Sequence, residues 1–200
     1  MKRHLATRLS GLVCLALSVG CVSSGKYEES VARGDTLAAE VASLRAANDS
    51  LQVLFAEEIA ANELKVQQLV EGVQVEIPSD IMYPSGATGA DVGPEGREFA
   101  TKFAEYLKGT TFHISVIGHT DNQQPTGGLA QRYPTNWELA AARAANAVKF
   151  LVSQGVDPRR VIAISKGEFD PVASNSTSEG RAQNRRIQVV LRELPPGALP

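Results

Sequence analysis

The apolar residues of the region 27–71 are spaced as in an α-helix. This region contains no proline, and Leu37, Leu44 and Leu51 recur every seven residues. Such a heptad repeat is typical of helices that pair along an apolar seam. The next position of the repeat is Glu58, so we predict a helical stalk that forms at most a short coiled coil. Self-association through the leucines, or packing of the helix on its own domain, are the alternatives that this pattern leaves open.

After Gly72 the pattern changes to short strands that alternate with helices. Runs typical of strands occupy residues 73–77, 112–117, 161–165 and 187–191, and helical patterns occupy residues 94–108, 135–153 and, as a single turn, 176–183. The resulting order β-α-β-α-β-β predicts an α/β fold, an α+β sandwich with helices on one face of a mixed sheet. This domain would span residues 73–192, followed by a Pro-rich tail over residues 193–200.

The N-terminal 20 residues have the pattern of a secretory signal peptide. A basic start precedes an apolar run over residues 9–20, which is too short to span a bilayer as a helix. Residues 18–21 then resemble the bacterial lipobox, in which a cysteine is acylated and becomes the new N-terminus. We therefore predict a lipid anchor on Cys21, with residues 21–26 as a flexible tether. An ordinary signal peptide or an uncleaved signal anchor is the alternative, because a serine stands where lipoboxes usually carry leucine.

The overall charge argues against nucleic acid as a partner. The chain has 20 Lys plus Arg and 22 Asp plus Glu, a formal charge of −2, whereas nucleic-acid-binding domains are usually basic. The exported part is mildly acidic, so electrostatic attraction to an anionic bilayer cannot hold the protein at the membrane. The acyl chains must therefore provide the membrane attachment. Cleavage would leave Cys21 as the single cysteine, blocked by lipid, which excludes a disulfide or a CxxC redox site.

The sequence contains no pattern typical of a catalytic or metal site. His119 and Asp121 are two residues apart, but no third ligand has suitable spacing and no nucleophile adjoins them. Glycoside cleavage needs two carboxylates across a cleft, and peptide cleavage needs a metal or an activated nucleophile. We therefore expect a protein that is not an enzyme and that carries no cofactor and no metal.

Four motifs in the second half of the chain resemble one known family. They are Gly118-His119-Thr120-Asp121-Asn122, then Asn136-Trp137-Glu138-Leu139 with Arg143-Ala144, then Gly167 before Pro171, and last Gly180-Arg181-Ala182-Gln183-Asn184-Arg185-Arg186. Their order and spacing are similar to those of the OmpA/Pal/MotB family over residues 73–192. Ser165 departs from the glycine usual in that family, and Ala140 departs from a frequent serine. Residues 133–139 resemble the flagellar stator protein MotB in particular.

The resemblance implies a ligand and the residues that hold it. The family binds peptidoglycan at the free amino-acid end of diaminopimelate, which is a zwitterion. A guanidinium suits the carboxylate of this ligand because its planar fork forms two parallel hydrogen bonds, and a carboxylate suits the ammonium. Asp121 and Arg143 match the acid and the arginine of the family. Asn136, Thr120 and Gly118 are the neighbouring candidates.

A basic cluster, formed by Arg181, Arg185 and Arg186, precedes the last predicted strand. Clusters of this kind often contact phosphate, but the resemblance assigns this one to the motif at the start of that strand. We expect Arg185 and Arg186 to brace the loops around the site. Direct contact with the ligand is the alternative role.

The predicted helix that carries Arg143 has two neighbouring stripes at helical spacing. The stripe that we predict to face the core consists of Trp137, Ala141, Ala144, Val148 and Leu151, and the adjacent stripe consists of Asn136, Ala140, Arg143 and Ala147. Arg143 would then border the core and point into the crevice beyond the end of a strand. Open α/β sheets commonly bind ligands in such crevices.

These features together predict an outer-membrane lipoprotein whose globular domain faces the periplasm and binds peptidoglycan without covalent chemistry. The residues after Cys21 lack the aspartate that resembles an inner-membrane retention signal, which favours the outer membrane. A MotB-like stator or an envelope-complex assembly component is the alternative function. A stator would need a retained membrane helix with an ionisable residue.

Overall fold

The computed structural model describes residues 24–70, 72–83 and 91–193. The chain divides into two compact units, of which the first ends at Ala38 and the second begins at Ala39. The strands are β1 (Lys65–Leu69), β2 (Gly72–Pro78), β3 (His113–His119), β4 (Val161–Gly167) and β5 (Arg186–Arg192). The helices are α1 (Ser24–Leu54), α2 (Ala56–Ala60), α3 (Ser79–Met82), α4 (Pro94–Lys108), α5 (Gly127–Arg132), α6 (Asn136–Ser153) and α7 (Ser178–Asn184).

A five-stranded sheet of order β1-β2-β5-β3-β4 forms the centre of the second unit. β3 pairs with β4 in parallel, and the other pairs are antiparallel, so the sheet is mixed as predicted. The four predicted strands are confirmed as β2, β3, β4 and β5. Since β2 and β3 both run antiparallel to β5 between them, the C-terminal ends of β2 and β3 flank the start of β5.

Apolar side chains from the helices and from one face of the sheet fill the core. One stripe of α4 is buried there, and it consists of Phe99, Phe103 and Leu107. His119 lies buried on the opposite face of the sheet, where its Nε2 is 3.0 Å from Oε1 of Gln188. Burial lowers the pKa of His119 to about 4, so its ring is neutral at neutral pH.

The N-terminal helix is shorter than predicted, and its C-terminal half is part of the domain. α1 ends at Leu54, after which the chain forms α2 and the strand β1, so the prediction of a helical stalk through residue 71 is wrong beyond α2. The heptad leucines Leu37, Leu44 and Leu51 are here called the leucine seam. Leu44 and Leu51 are buried in the core, because this part of the leucine seam packs within the domain of the same chain. Leu37 is exposed, and self-association through it stays a prediction.

Some predictions for the two ends of the chain fall outside the described residues. These are the signal peptide, the lipidation of Cys21 and the Pro-rich tail from residue 194 onwards. The flexible tether predicted for residues 21–26 is wrong from Ser24, where α1 begins. Among the helices that the structure describes, none is long and apolar enough to cross a membrane.

The N-terminal part of helix α6 presents a different face to the core from the one predicted. Trp137 is 47% exposed, whereas Asn136 and Ala140 of the adjacent stripe are buried. The small side chain of Ala140 lets α6 pack directly on β3, where Gly118 faces the backbone of that alanine. The core-face prediction is therefore wrong at Trp137 and Ala141, which are exposed, and confirmed at Ala144 and Leu151, which are buried. Arg143 belongs to the stripe that turns toward the sheet.

Candidate functional site

Asp121 lies just beyond the C-terminal end of β3, and its side chain is only 7% exposed. Its Oδ1 accepts a hydrogen bond of 3.0 Å from the backbone N–H of Gln123. Its Oδ2 accepts one of 2.9 Å from Nη1 of Arg185. A buried carboxylate is stable only with such partners, and they hold the negative charge in one position at this end of the sheet.

Arg185, the residue before β5, links Asp121 to a second carboxylate. Its Nη2 donates a hydrogen bond of 3.1 Å to Oδ2 of Asp80. Burial acts to lower the pKa of Arg185, but the bonds to Asp121 and Asp80 outweigh it, so the pKa is raised. Asp80 follows β2 and Asp121 follows β3, and both strands end beside the start of β5. The sheet topology therefore brings the three charges together.

Arg143 approaches the same place from helix α6. Its Cζ lies 5.5 Å from the centroid of the Tyr83 ring, a cation–π contact. The hydroxyl of Tyr83 donates a hydrogen bond of 2.6 Å to the backbone carbonyl of Arg143. Burial lowers the pKa of Arg143, and Tyr83 and the carboxylates of Asp80 and Asp121 oppose that shift. The guanidinium remains protonated, so it adds a second positive charge near the two carboxylates.

Asn136, the first residue of α6, joins the loops around the site. Its Nδ2 donates hydrogen bonds of 3.2 Å to the backbone carbonyls of Asp121 and Gln123. The same nitrogen donates to Oε2 of Glu168, which follows β4. This predicted site residue therefore positions the loops after β3 and β4.

Gly118 and Thr120 precede Asp121 and contribute in different ways. A Cβ at Gly118 would lie 2.2 Å from the carbonyl oxygen of Ala140, so this glycine allows α6 to pack closely on β3. The backbone N–H of Thr120 donates a hydrogen bond of 2.8 Å to the carbonyl of Gly167. Among the residues that the structure describes, the buried hydroxyl of Thr120 has no hydrogen-bond partner. This predicted site residue therefore lies beside Asp121 with its hydroxyl buried, not exposed to a ligand.

Arg186, the next residue after Arg185, braces other loops. Its Nη1 donates to the carbonyl of Asn184 at 3.3 Å, and its Nη2 donates to the carbonyl of Asp170 at 3.2 Å. Its Nε lies 3.5 Å from Oε1 of Glu76. The contacts of Arg186 thus have the predicted bracing character, whereas Arg185 pairs directly with Asp121.

Two carboxylates and two guanidiniums therefore surround one end of the sheet, a set that can hold a ligand with one positive and one negative group. The four residues are Asp80, Asp121, Arg143 and Arg185. Sequence reasoning missed Asp80 and Tyr83, because it did not establish which strand ends lie side by side. The signal that could have found them is their position, since Asp80 lies two residues after the strand that ends at Pro78 and Tyr83 follows the short helix α3.

Sequence comparison gives the family of this fold and site. The sequence model of the OmpA family matches residues 88–185. The chain belongs to the OmpA family. The matched residues include Asp121, Arg143 and Arg185, whereas Asp80 and Tyr83 lie before the matched region. The OmpA-family part of the site is thus completed here by residues upstream of it.

Similar proteins include the probable lipoprotein YiaD of Escherichia coli (strain K12), which is 34% identical over 125 residues that cover 62% of this chain and 53% of YiaD. Motility protein B of Bacillus subtilis (strain 168) is 32% identical over 139 residues, which cover 68% of this chain and 51% of that protein. The chain thus spans about half the length of these curated relatives. The solved cell wall anchor of the T6SS from Pseudomonas aeruginosa is 30% identical, with a TM-score of 0.65, covering 72% of this chain and 97% of that chain.

Proposed function

We propose that this domain binds peptidoglycan non-covalently and holds the free amino-acid end of diaminopimelate. The observation that carries the proposal is the cluster of Asp80, Asp121, Arg143 and Arg185 at one end of the sheet. The ligand end has one ammonium and one carboxylate. Asp121 holds the ammonium, while the planar fork of Arg143 forms paired hydrogen bonds to the carboxylate. The similarity to a cell wall anchor supports this ligand.

A competition experiment tests the ligand. Purified peptidoglycan sacculi sediment on centrifugation and carry bound protein with them. We expect a free tripeptide that ends in diaminopimelate to release the protein about tenfold more effectively than the same tripeptide with lysine, because hydrogen bonds to charged groups contribute about 1.5–3 kcal/mol. Lysine lacks the side-chain carboxylate of diaminopimelate. Equal release by the two peptides would contradict recognition of that carboxylate.

Replacement of Arg143 by lysine tests the residue assigned to the carboxylate. Lysine keeps the positive charge but loses the planar fork and its paired hydrogen bonds, so we expect affinity for the diaminopimelate tripeptide to fall about tenfold. Isothermal titration calorimetry measures this change. Arg159→Lys is the matched control, since the side chain of Arg159 is 82% exposed and pairs with Asp157. Wild-type affinity in Arg143→Lys would remove this residue from the proposed site.

We further infer that acyl chains on Cys21 anchor the protein in the outer membrane, so that it links this membrane to the cell wall without catalysis. The lipobox-like residues 18–21 support the anchor, as does the similarity to a probable lipoprotein of Escherichia coli. A protein with this role leaves sacculi intact. The turbidity of a sacculus suspension should therefore stay constant in its presence.

A MotB-like stator or envelope-complex assembly component is the second candidate function. It is supported by the MotB-like residues 133–139 and by the similarity to Motility protein B of Bacillus subtilis. The two candidates differ at the N-terminus. Mass spectrometry of the protein extracted from its native membrane should find acylated Cys21 as the first residue. Retention of residues 1–20 would favour the MotB-like function instead.

A further inference from the structure

Trp137 and Phe169 form a stacked and exposed pair of rings, here called the aromatic pair. Their ring centroids lie 5.4 Å apart, with an angle of 28° between the ring planes. Trp137 is 47% exposed and Phe169 is 66% exposed. Large rings that pack on each other yet remain this accessible keep apolar surface in contact with water, a feature that often marks a binding surface.

The backbone around the aromatic pair is held in place. Gly167 adopts a φ of +54°, and a Cβ at this position would lie 3.5 Å from Cδ2 of Trp137. The hydroxyl of Ser165 donates a hydrogen bond of 2.9 Å to the carbonyl of Trp137. The backbone N–H of Phe169 donates one of 3.2 Å to the carbonyl of Lys166. A surface that is already ordered loses little conformational freedom when a ligand binds.

Polar side chains connect the aromatic pair to the site. Each ring follows a member of one hydrogen-bond network, since Asn136 precedes Trp137 and Glu168 precedes Phe169. Asn136 also binds the backbone carbonyl of Asp121. The aromatic pair is therefore continuous with the loop that carries the central carboxylate of the proposed peptidoglycan site.

A sugar ring matches this combination of groups. Its face of C–H bonds packs on an aromatic face, which carries partial negative charge, and its hydroxyl rim needs polar partners beside that face. Oε2 of Glu168 already accepts a hydrogen bond of 2.8 Å from Nε2 of Gln124 next to the aromatic pair. A carboxylate accepts hydrogen bonds from hydroxyls, and an amide both donates to them and accepts from them.

The connectivity of peptidoglycan places a sugar within reach. A stem peptide hangs from a sugar of the glycan strand, and each of its residues spans at most about 3.6 Å. A peptide that is held a few residues from its start therefore leaves the sugar on the order of 10 Å away. We propose that Trp137 and Phe169 form a stacking subsite for a sugar of the glycan strand. This inference rests on the proposed function of the neighbouring site.

Two fragments of peptidoglycan separate the sugar from the peptide. One is the diaminopimelate tripeptide, and the other is the same tripeptide on its N-acetylglucosamine–N-acetylmuramic acid disaccharide. We expect the full-length protein, purified in detergent, to bind the disaccharide fragment roughly fivefold more tightly, in keeping with other aromatic stacking contacts. Trp137 is the single tryptophan of the chain. Its fluorescence should therefore change with the disaccharide fragment and not with the tripeptide.

Substitutions test the ratio of the two affinities. The ratio is the affinity for the disaccharide fragment divided by the affinity for the tripeptide. Phe169→Leu keeps an apolar side chain but removes the ring, and we expect this ratio to fall to about one while tripeptide binding stays unchanged. We expect the same result for Trp137→Ala. Trp137→Phe keeps a ring and should preserve most of the ratio. Ile162→Ala is the matched control, because Ile162 is an apolar residue with 52% exposure on β4, and it should leave the ratio unchanged.

Three outcomes would overturn the inference, and they are distinguishable. Equal binding of both fragments by the wild type would refute the sugar subsite alone. Binding of neither fragment would refute the proposed function together with the subsite. If the ratio persists in Phe169→Leu and Trp137→Ala while sedimentation velocity finds dimers of the wild type and monomers of the variants, the aromatic pair is a self-association surface.

Discussion

Replacing Asp121 by asparagine is expected to weaken binding to peptidoglycan sacculi by roughly 30-fold or more. Asparagine keeps the size of the side chain and can still accept the hydrogen bond from the N–H of Gln123, so the loop should retain its shape. The variant loses the negative charge that pairs with Arg185 and that is proposed to hold the ligand ammonium. Loss of one partner of a buried charge pair costs about 2–5 kcal/mol, and 1.4 kcal/mol corresponds to a factor of ten.

Asp80→Asn is the matched control for this substitution. Like Asp121, Asp80 accepts a hydrogen bond from Arg185. The side chain of Asp80 is 60% exposed, however, whereas that of Asp121 is 7% exposed. Exposed ion pairs contribute about 0–1 kcal/mol, so we expect no more than about a fivefold loss. Sacculus co-sedimentation over a range of protein concentrations measures both variants. Equal affinities of the two variants would contradict a central role of Asp121.

Gly118→Ala is expected to lower the folding stability substantially. The added Cβ would lie 2.2 Å from the carbonyl oxygen of Ala140 and 2.8 Å from its carbonyl carbon. Both are backbone atoms of α6, so the clash can be relieved only by moving the helix away from the sheet. Overpacking of this kind typically costs about 1–3 kcal/mol. A urea titration followed by circular dichroism measures the loss as a lower midpoint of unfolding.

The same displacement should weaken binding, because α6 carries Arg143 while Asp121 follows the strand beneath it. Gly128→Ala is the matched control: Gly128 lies in α5, and a Cβ there would have no neighbour within 4 Å. We expect that variant to change stability by no more than about 0.5 kcal/mol. Similar unfolding midpoints for the two variants would mean that α6 does not depend on close contact at Gly118.

The elements of the domain core could be predicted because their signals are local. Thr135 and Glu138 form a capping box at the start of α6, and this motif can be recognised in the sequence because its residues are three apart. The period-two pattern of Ile187, Val189 and Leu191 corresponds to the buried face of β5. These features need no knowledge of distant residues.

The predictions that were wrong concern features that depend on contacts between residues far apart in the chain. The leucine seam predicted a stalk, because heptad spacing is the same whether a helix packs on another helix or on its own domain. Only the folded core shows that Leu44 and Leu51 are buried within the domain of the same chain. The helical spacing predicts Trp137 in the core, yet Gly118 and Ala140 bring the adjacent stripe against β3.

The sequence alone is enough to predict the order of β2, α4, β3, α6, β4, α7 and β5 and to identify the OmpA-family motifs. It also singles out Asp121 and Arg143 as the charges that are proposed to hold a zwitterion. Periodicity, caps and motif spacing are properties of neighbouring residues, so they can be read without coordinates. The tertiary structure decided which charges complete the site. Asp80 meets Asp121 and Arg185 because β2 and β3 end on either side of the start of β5, and this pairing of strands far apart in the chain is established only by the packed sheet.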